Sequence, residues 1–243
     1  MRCNYNPQWR KIGKGVMVGL ELEFEHDSGP DMVDADYSEV FTEEELSYLA
    51  AVKEDGSVDG AEFVTQPAAY DKHQEYLPGI LRKLHDLGFY ASHSCGLHVH
   101  VERPENNELR VRNILKAIVR ASTEEWDDLF YRVQGRGSTQ YAYEERVRDC
   151  PVSEYTRDSR VDKFLRFNTL HQDTYEFRQG HGSIRISRVM RRMELAMSLV
   201  EWAKTCFQDI LETKNPAEEL ALYREWLSAQ PGYPVLTGFL ESC

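Results

Sequence analysis

The chain has 243 residues, 41% of them hydrophobic, and a formal net charge of −12. That length supports a sizeable core, while the acidic balance excludes a general affinity for DNA or RNA backbones, which requires a surplus of lysine and arginine. Five cysteines, Cys3, Cys95, Cys150, Cys206 and Cys243, are odd in number and lack Cys-x-x-Cys spacing, so neither a zinc ribbon nor a disulfide framework is indicated. With no signal-peptide pattern and no apolar run of membrane-spanning length, a cytoplasmic protein is expected.

The first element is GLELEFE, residues 19–25. Successive side chains of a strand alternate between faces, so Val18, Leu20, Leu22 and Phe24 point one way and Glu21, Glu23 and Glu25 the other. Neighbouring carboxylates about 7 Å apart repel by roughly 2 kcal/mol at an effective dielectric of about 20, but by only about 0.6 kcal/mol in water. That face is either fully wet or opposed by positive charge. HDSGPDMVDADYSE then reads as a loop, and Thr42 with Glu45 has the capping-box spacing of a short helix. KEDGSVDG reads as a turn and AEFVTQP as a strand closed by Pro67. From Tyr70 to Leu87 the positions Leu77, Ile80, Leu81, Leu84 and Leu87 have helical spacing, with Pro78 as a kink or the start and Gly88 as the stop. CGLHVHV is the third strand.

Two helices are predicted over Leu109–Ala121 and Glu124–Val133, broken at Ser122, which forms a capping-box pattern with Glu125. Gln134–Arg160 has no period and reads as a long surface loop, a candidate lid. LRFNTL and TYEFRQ follow as two short strands, a hairpin around HQD. Ile186, Met190, Met193, Met197, Val200 and Phe207 stripe a long helix, and Pro216–Ala229 makes a second. Strands interrupted by long helices without regular alternation predict an α+β fold, with helices on one face of a largely antiparallel sheet. The whole chain is expected to be one domain, with a core over residues 16–205 and C-terminal helices over 206–243.

The alternation of the first strand recurs. His98 and His100 share a face opposite Leu97, Val99 and Val101, and Glu176 and Arg178 oppose Tyr175 and Phe177. In AEFVTQ, Glu62 shares its side with Val64 and Gln66. One polar sheet face therefore collects Glu21, Glu23, Glu62, His98, Glu176 and Arg178. Carboxylate-dominated ligand sets suit Mg²⁺ or Mn²⁺, which leave coordination positions for phosphates, whereas His-x-His is compatible with zinc. Arg178 is placed to neutralise a transferring phosphoryl group or to form an ordinary salt bridge. No Walker-type phosphate loop is present, and Cys95 has no orienting acid that would make it a nucleophile.

At these residues the sequence resembles the amidoligase family of the carboxylate-amine ligase superfamily, which includes glutamine synthetase and glutamate-cysteine ligase. The matching pieces occur in order: GLELEFE, EDGSV with EFVTQP, CGLHVHV, RFNTL, TYEFRQGHGSI and the following helix. The resemblance implies a curved antiparallel sheet whose concave face binds ATP and Mg²⁺, with Mn²⁺ as a substitute. Glu21, Glu23, Glu62, His98 and Glu176 would be metal ligands, and Glu21, Glu23 and Arg178 would serve catalysis. Arg178, Asn168, Lys53 and Arg185 would contact the nucleotide; Asp55 and Ser57 match the family's acidic turn, and His100 is a further candidate. Arg188, Arg191 and Arg192 have no family match. The implied reaction is ATP-dependent amide formation through an acyl phosphate, on an amino acid, a peptide or protein, or a small metabolite. Relatives occur in phage and mobile gene clusters beside a glutamine amidotransferase, a candidate partner, and often assemble into oligomers; neither nucleic acid nor membrane is expected as a partner. The rival readings are a zinc hydrolase built on His98 and His100, and a binding module without catalysis.

Overall fold

The computed structural model describes residues 9–137, 142, 144, 146–155 and 164–242, and Cys3 and Cys243 lie outside the described residues. The chain forms two compact units, one of residues up to His100 with Gly180–Met190, the other of Val101–Gln179 with Arg191 onward.

The first unit begins with β1 (Val18–Glu25), whose apolar side chains Val18, Leu20, Leu22 and Phe24 are buried as the alternation requires. The capping box of Thr42 and Glu45 forms and opens α1 (Glu43–Tyr48). The chain then enters β2 (Leu49–Lys53), a strand the sequence reading missed because LAAVK follows the helix without alternation. β3 (Gly60–Thr65) pairs antiparallel with both β1 and β2. Gly60 is required there, since a Cβ would fall 2.1 Å from the Phe24 carbonyl oxygen.

α2 (Tyr70–Asp86) contains Pro78 inside the helix rather than at its start, and buries Leu77, Ile80, Leu81 and Leu84 as the spacing predicts. It is fastened to β1 through His73, whose Nε2 lies 2.9 Å from the Val18 carbonyl oxygen while its Nδ1 meets the Tyr48 hydroxyl at 2.5 Å. Phe63 of β3 packs against Phe89 just beyond α2, with ring centroids 5.2 Å apart. β4 (Gly96–Glu102) then crosses the unit boundary, with Leu97 and Val99 buried on its apolar side.

In the second unit α3 (Glu108–Leu115) ends sooner than expected, in one π-helical turn over Lys116–Arg120, and β5 (Ala121–Ser122) follows. The N-cap of α4 (Glu124–Gln134) is Thr123, whose hydroxyl oxygen accepts from the Trp126 N–H at 3.2 Å. Ser122 instead donates to Asp127, so the expected Ser122–Glu125 box is corrected. The expected loop is partly regular: β6 (Arg146–Val147) pairs parallel with β5, and a 3-10 turn spans Val152–Glu154. Most residues of 138–145, and 156–163 beyond, lie outside the described residues, and with them much of the candidate lid.

β7 (Phe167–Asn168) and β8 (Thr174–His181) form the expected antiparallel hairpin, with Phe167 opposite Phe177 and Asn168 opposite Glu176. α5 (Ile186–Thr205) stops before Phe207, which belongs to a separate α6 (Phe207–Glu212). α7 (Pro216–Ser228) matches expectation, whereas α8 (Pro234–Glu241) was not foreseen. Trp126, Trp202 and Tyr223, with centroids 5.2–5.9 Å apart, form the core of this unit. Buried Arg166 donates to the Val119 and Ala121 carbonyls and Arg120 to that of Phe167 at 2.8 Å, satisfying backbone that the irregular stretch leaves unpaired.

The hydrogen-bonded strand order is β2-β3-β1-β4-β8-β7. The fold is thus mixed α and β around an antiparallel sheet, and no described helix is long and apolar enough to cross a membrane.

Candidate metal-binding site

Strand register builds the first cluster. Glu23 of β1 lies directly opposite Glu62 of β3, and Glu62 directly opposite Lys53 of β2. Directly opposed side chains share a face, and two like charges in that position destabilise a sheet. Glu23 and Glu62 nevertheless are both buried, at 3% and 1% exposure. Lys53 meets the pair from the other side, its Nζ 2.7 Å from Glu62 Oε1 and 3.8 Å from Glu21 Oε1. Val64 and Ala51, opposite each other and buried, form an apolar lane beside this polar row.

β4 closes the cluster. His98 Nδ1 lies 3.0 Å from Glu21 Oε2 and its Nε2 lies 3.4 Å from Glu23 Oε1, while His100 Nε2 lies 3.3 Å from Glu21 Oε1. The Gly96 N–H donates to Glu23 Oε2. A Cβ at Gly96 would fall 3.0 and 3.1 Å from the two Glu23 carboxylate oxygens and 3.1 Å from His98 Nε2, so the close approach depends on glycine. Asp55, held by Ser57 through its N–H at 2.7 Å and its hydroxyl at 2.6 Å, offers an oxygen within 4.8 Å of those of Glu23 and Glu62.

The ionisation of these groups follows from their surroundings. Burial pushes Glu62 up to about 8, reinforced by the Glu21 charge and opposed by Lys53. Burial also acts upward on Glu21, but hydrogen bonds from His100 and His98 outweigh it and hold the carboxyl well below its usual range. Asp55 is likewise lowered, the Ser57 hydrogen bonds outweighing burial. For Lys53 burial acts downward, and the Glu21 and Glu62 charges outweigh it and raise the ammonium.

A second cluster belongs to the other unit. Glu176, 2% exposed, accepts from Asn168 Nδ2 at 2.6 Å and from Arg178, and its Oε2 lies 3.1 Å from His171 Nε2. Arg136 donates to the Gln179 carbonyl at 3.3 Å and to that of Arg178 at 3.4 Å, so the start of the expected loop touches β8. His171 was missed as a candidate, because its place in the HQD turn carries no alternation signal.

The structure thus brings Glu21, Glu23, Glu62 and His98 together with Lys53, His100 and Asp55, and brings Glu176, Arg178 and Asn168 together with His171. Arg185 stands elsewhere in the first unit, lining a groove with Arg82 and His85. Glu25 accepts instead from the Ser92 hydroxyl at 2.5 Å. Cys95 is buried, and burial pushes its thiol up, which keeps it protonated and unreactive.

The first cluster offers four carboxylates and two imidazoles, a hard, oxygen-rich donor set that fits Mg²⁺ or Mn²⁺. Glu62 Oε1 is buried and faces Lys53 without the geometry of a hydrogen bond, an oxygen suited to accept a metal ion. No family model matches the chain, and no curated protein matches it in sequence.

Proposed function

We propose that the protein is an ATP- and Mg²⁺-dependent carboxylate-amine ligase of the glutamine-synthetase-like kind. The observation that carries this reading is the burial of Glu62 directly opposite Glu23, with the Asp55 carboxylate beside them. Opposed buried carboxylates are costly, and a divalent cation bound between them would offset that cost. Glu21, Glu23, Glu62 and His98 of the first unit would hold Mg²⁺, and Glu176 of the second is a ligand candidate in its own cluster; the ion supplies charge neutralisation and alignment of the nucleotide phosphates.

The residues of the chain have the remaining roles. Glu176 fixes the Arg178 guanidinium, leaving it to offset charge on the transferring phosphoryl group. His98 and His100 hold Glu21 ionised for metal. In the reaction class, a substrate carboxylate oxygen attacks the γ-phosphorus and ADP leaves. An amine nitrogen then attacks the acyl carbon, and phosphate leaves with the amine losing a proton. The carboxylate substrate is an amino acid, a peptide or a small metabolite.

Calorimetric titration of a non-hydrolysable ATP analogue, with Mg²⁺ and then with EDTA, tests the reading. Binding is expected only with Mg²⁺, and Glu23→Ala or Glu176→Ala should abolish Mg-ATP turnover while leaving the thermal transition cooperative. Full turnover in either variant would refute the assignment. A zinc hydrolase has one observation in its favour, the engagement of both His98 and His100 with Glu21, since carboxylate-bound imidazoles are common around zinc. Zinc in the purified protein, with hydrolysis independent of ATP, would select that reading; absence of nucleotide binding and of turnover would select a binding module.

A further inference from the structure

The cation that faces the first carboxylate cluster is part of the chain itself. Lys53 Nζ lies 2.7 Å from Glu62 Oε1 and 3.8 Å from Glu21 Oε1, and Lys53 is the residue directly opposite Glu62 across β2 and β3. The two partners differ in freedom. The Glu62 side chain is 2% exposed and fixed in the sheet, whereas that of Lys53 is 33% exposed and has an open path to solvent. A long, unbranched ammonium chain can leave such a contact by rotating about its own bonds, with no movement of the backbone.

We propose that Lys53 is a displaceable internal cation: its ammonium neutralises and orders the Glu21–Glu62 carboxylates, and a divalent ion enters by driving it off Glu62. This rests on the reading of the cluster as a metal site and adds a determinant of its affinity. Glu62 Oε1 is the contested atom, because an ammonium on that oxygen and a divalent ion bound to it would repel each other at close range. At equal dielectric, a doubly charged ion about 2.1 Å from an oxygen is attracted roughly 2.6 times as strongly as a single charge at the Lys53 distance of 2.7 Å. The pairwise attraction at this oxygen thus runs in the metal's favour, while Lys53 subtracts from its net affinity. The Lys53–Glu62 contact is close but lacks hydrogen-bond alignment, so breaking it forfeits no directed hydrogen bond. Once displaced, the ammonium is available to an anion arriving with the metal.

The test is Mn²⁺ binding to the full chain, without nucleotide, followed by electron paramagnetic resonance. Lys53→Met removes the competitor and keeps the apolar stem, so its Mn²⁺ affinity should rise by about tenfold over wild type, a change of about 1.4 kcal/mol. Metal-free Lys53→Met should also melt below wild type and recover with Mn²⁺. Lys53→Arg, which restores a cation, should bind Mn²⁺ more weakly than Lys53→Met, and Lys53→Gln, neutral but polar, should bind it more tightly than wild type where the methionine variant fails to fold. Unchanged or weaker Mn²⁺ binding in Lys53→Met, or an arginine variant as tight as the methionine one, overturns the inference. If wild type and variants all fail to bind Mn²⁺, the metal reading itself falls, an outcome the wild-type titration alone identifies.

Discussion

Glu62 concentrates the chemistry of the first cluster because it is the most buried of its carboxylates and lies between Glu23 and Lys53. Its folded pKa, about 8, lies above the ordinary value of 4.5, so the folded chain binds more protons than the unfolded one between those limits. The stability this provides is present at low pH and is lost as pH rises toward about 8. Metal-free wild type should therefore lose melting temperature relative to Glu62→Gln as pH climbs through that window. Mn²⁺ binding near neutrality should also release the Glu62 proton, making the calorimetric heat depend on the ionisation heat of the buffer, and Glu62→Gln should remove that dependence. Gly96→Ala adds a methyl group 3.0 Å from a Glu23 oxygen. It should weaken Mn²⁺ binding in the same resonance assay while shifting the melting temperature by only a few degrees, a cost of about 1 kcal/mol.

At the level of elements, two buried polar links fasten otherwise separate pieces of chain. Arg148, just after β6, forms a fully buried pair with Glu219 of α7, at 2.8 Å between Nη1 and Oε1, and Glu219 Oε1 also accepts the Val152 N–H at 2.9 Å. Removing one partner leaves an unpaired buried charge, so Arg148→Met should cost about 3–5 kcal/mol in denaturant unfolding. His73 links α2 to β1 and is held neutral by burial, its pKa lowered to about 4. A depressed histidine gives stability that is lost as pH falls below the ordinary 6.5 toward about 4, and His73→Asn should flatten that acid limb of the melting curve. These elements also show what the sequence could and could not disclose. The alternation of residues 18–25 and 96–102 is local and was legible, as was the Thr42 cap. The row Lys53–Glu62–Glu23 depends on register between strands distant in sequence, which no local pattern carries. The cap at Thr123 was misread as Ser122 because both hydroxyls precede the same acidic turn, and only the backbone decides which one faces it.

For the molecule as a whole, the division into two units does not follow the order of the chain. The boundaries fall inside β4, between His100 and Val101, inside β8, between Gln179 and Gly180, and inside α5, between Met190 and Arg191. A cut at any of these points severs a strand or a helix. A fragment ending at His100 is therefore expected to stay unfolded by circular dichroism, whereas a stably folded fragment would show that Gly180–Met190 is dispensable to its unit. The charge of −12 belongs to this scale too: it fits solubility and opposes polyanion binding, and specifies no substrate.

β2 is the outermost strand beside β3 and is only five residues long, with an irregularity in its pairing between Leu49 and Ala51. An open strand edge is a template on which a second chain can add itself, but Leu49, Ala50, Ala51 and Val52 are all buried, at 3% exposure or less, so this edge is covered. Lys53, the fifth residue, is where the strand reaches water. A substitution at Lys53 is thus expected to be felt twice, in the polar row it completes opposite Glu62 and at the strand end that meets water.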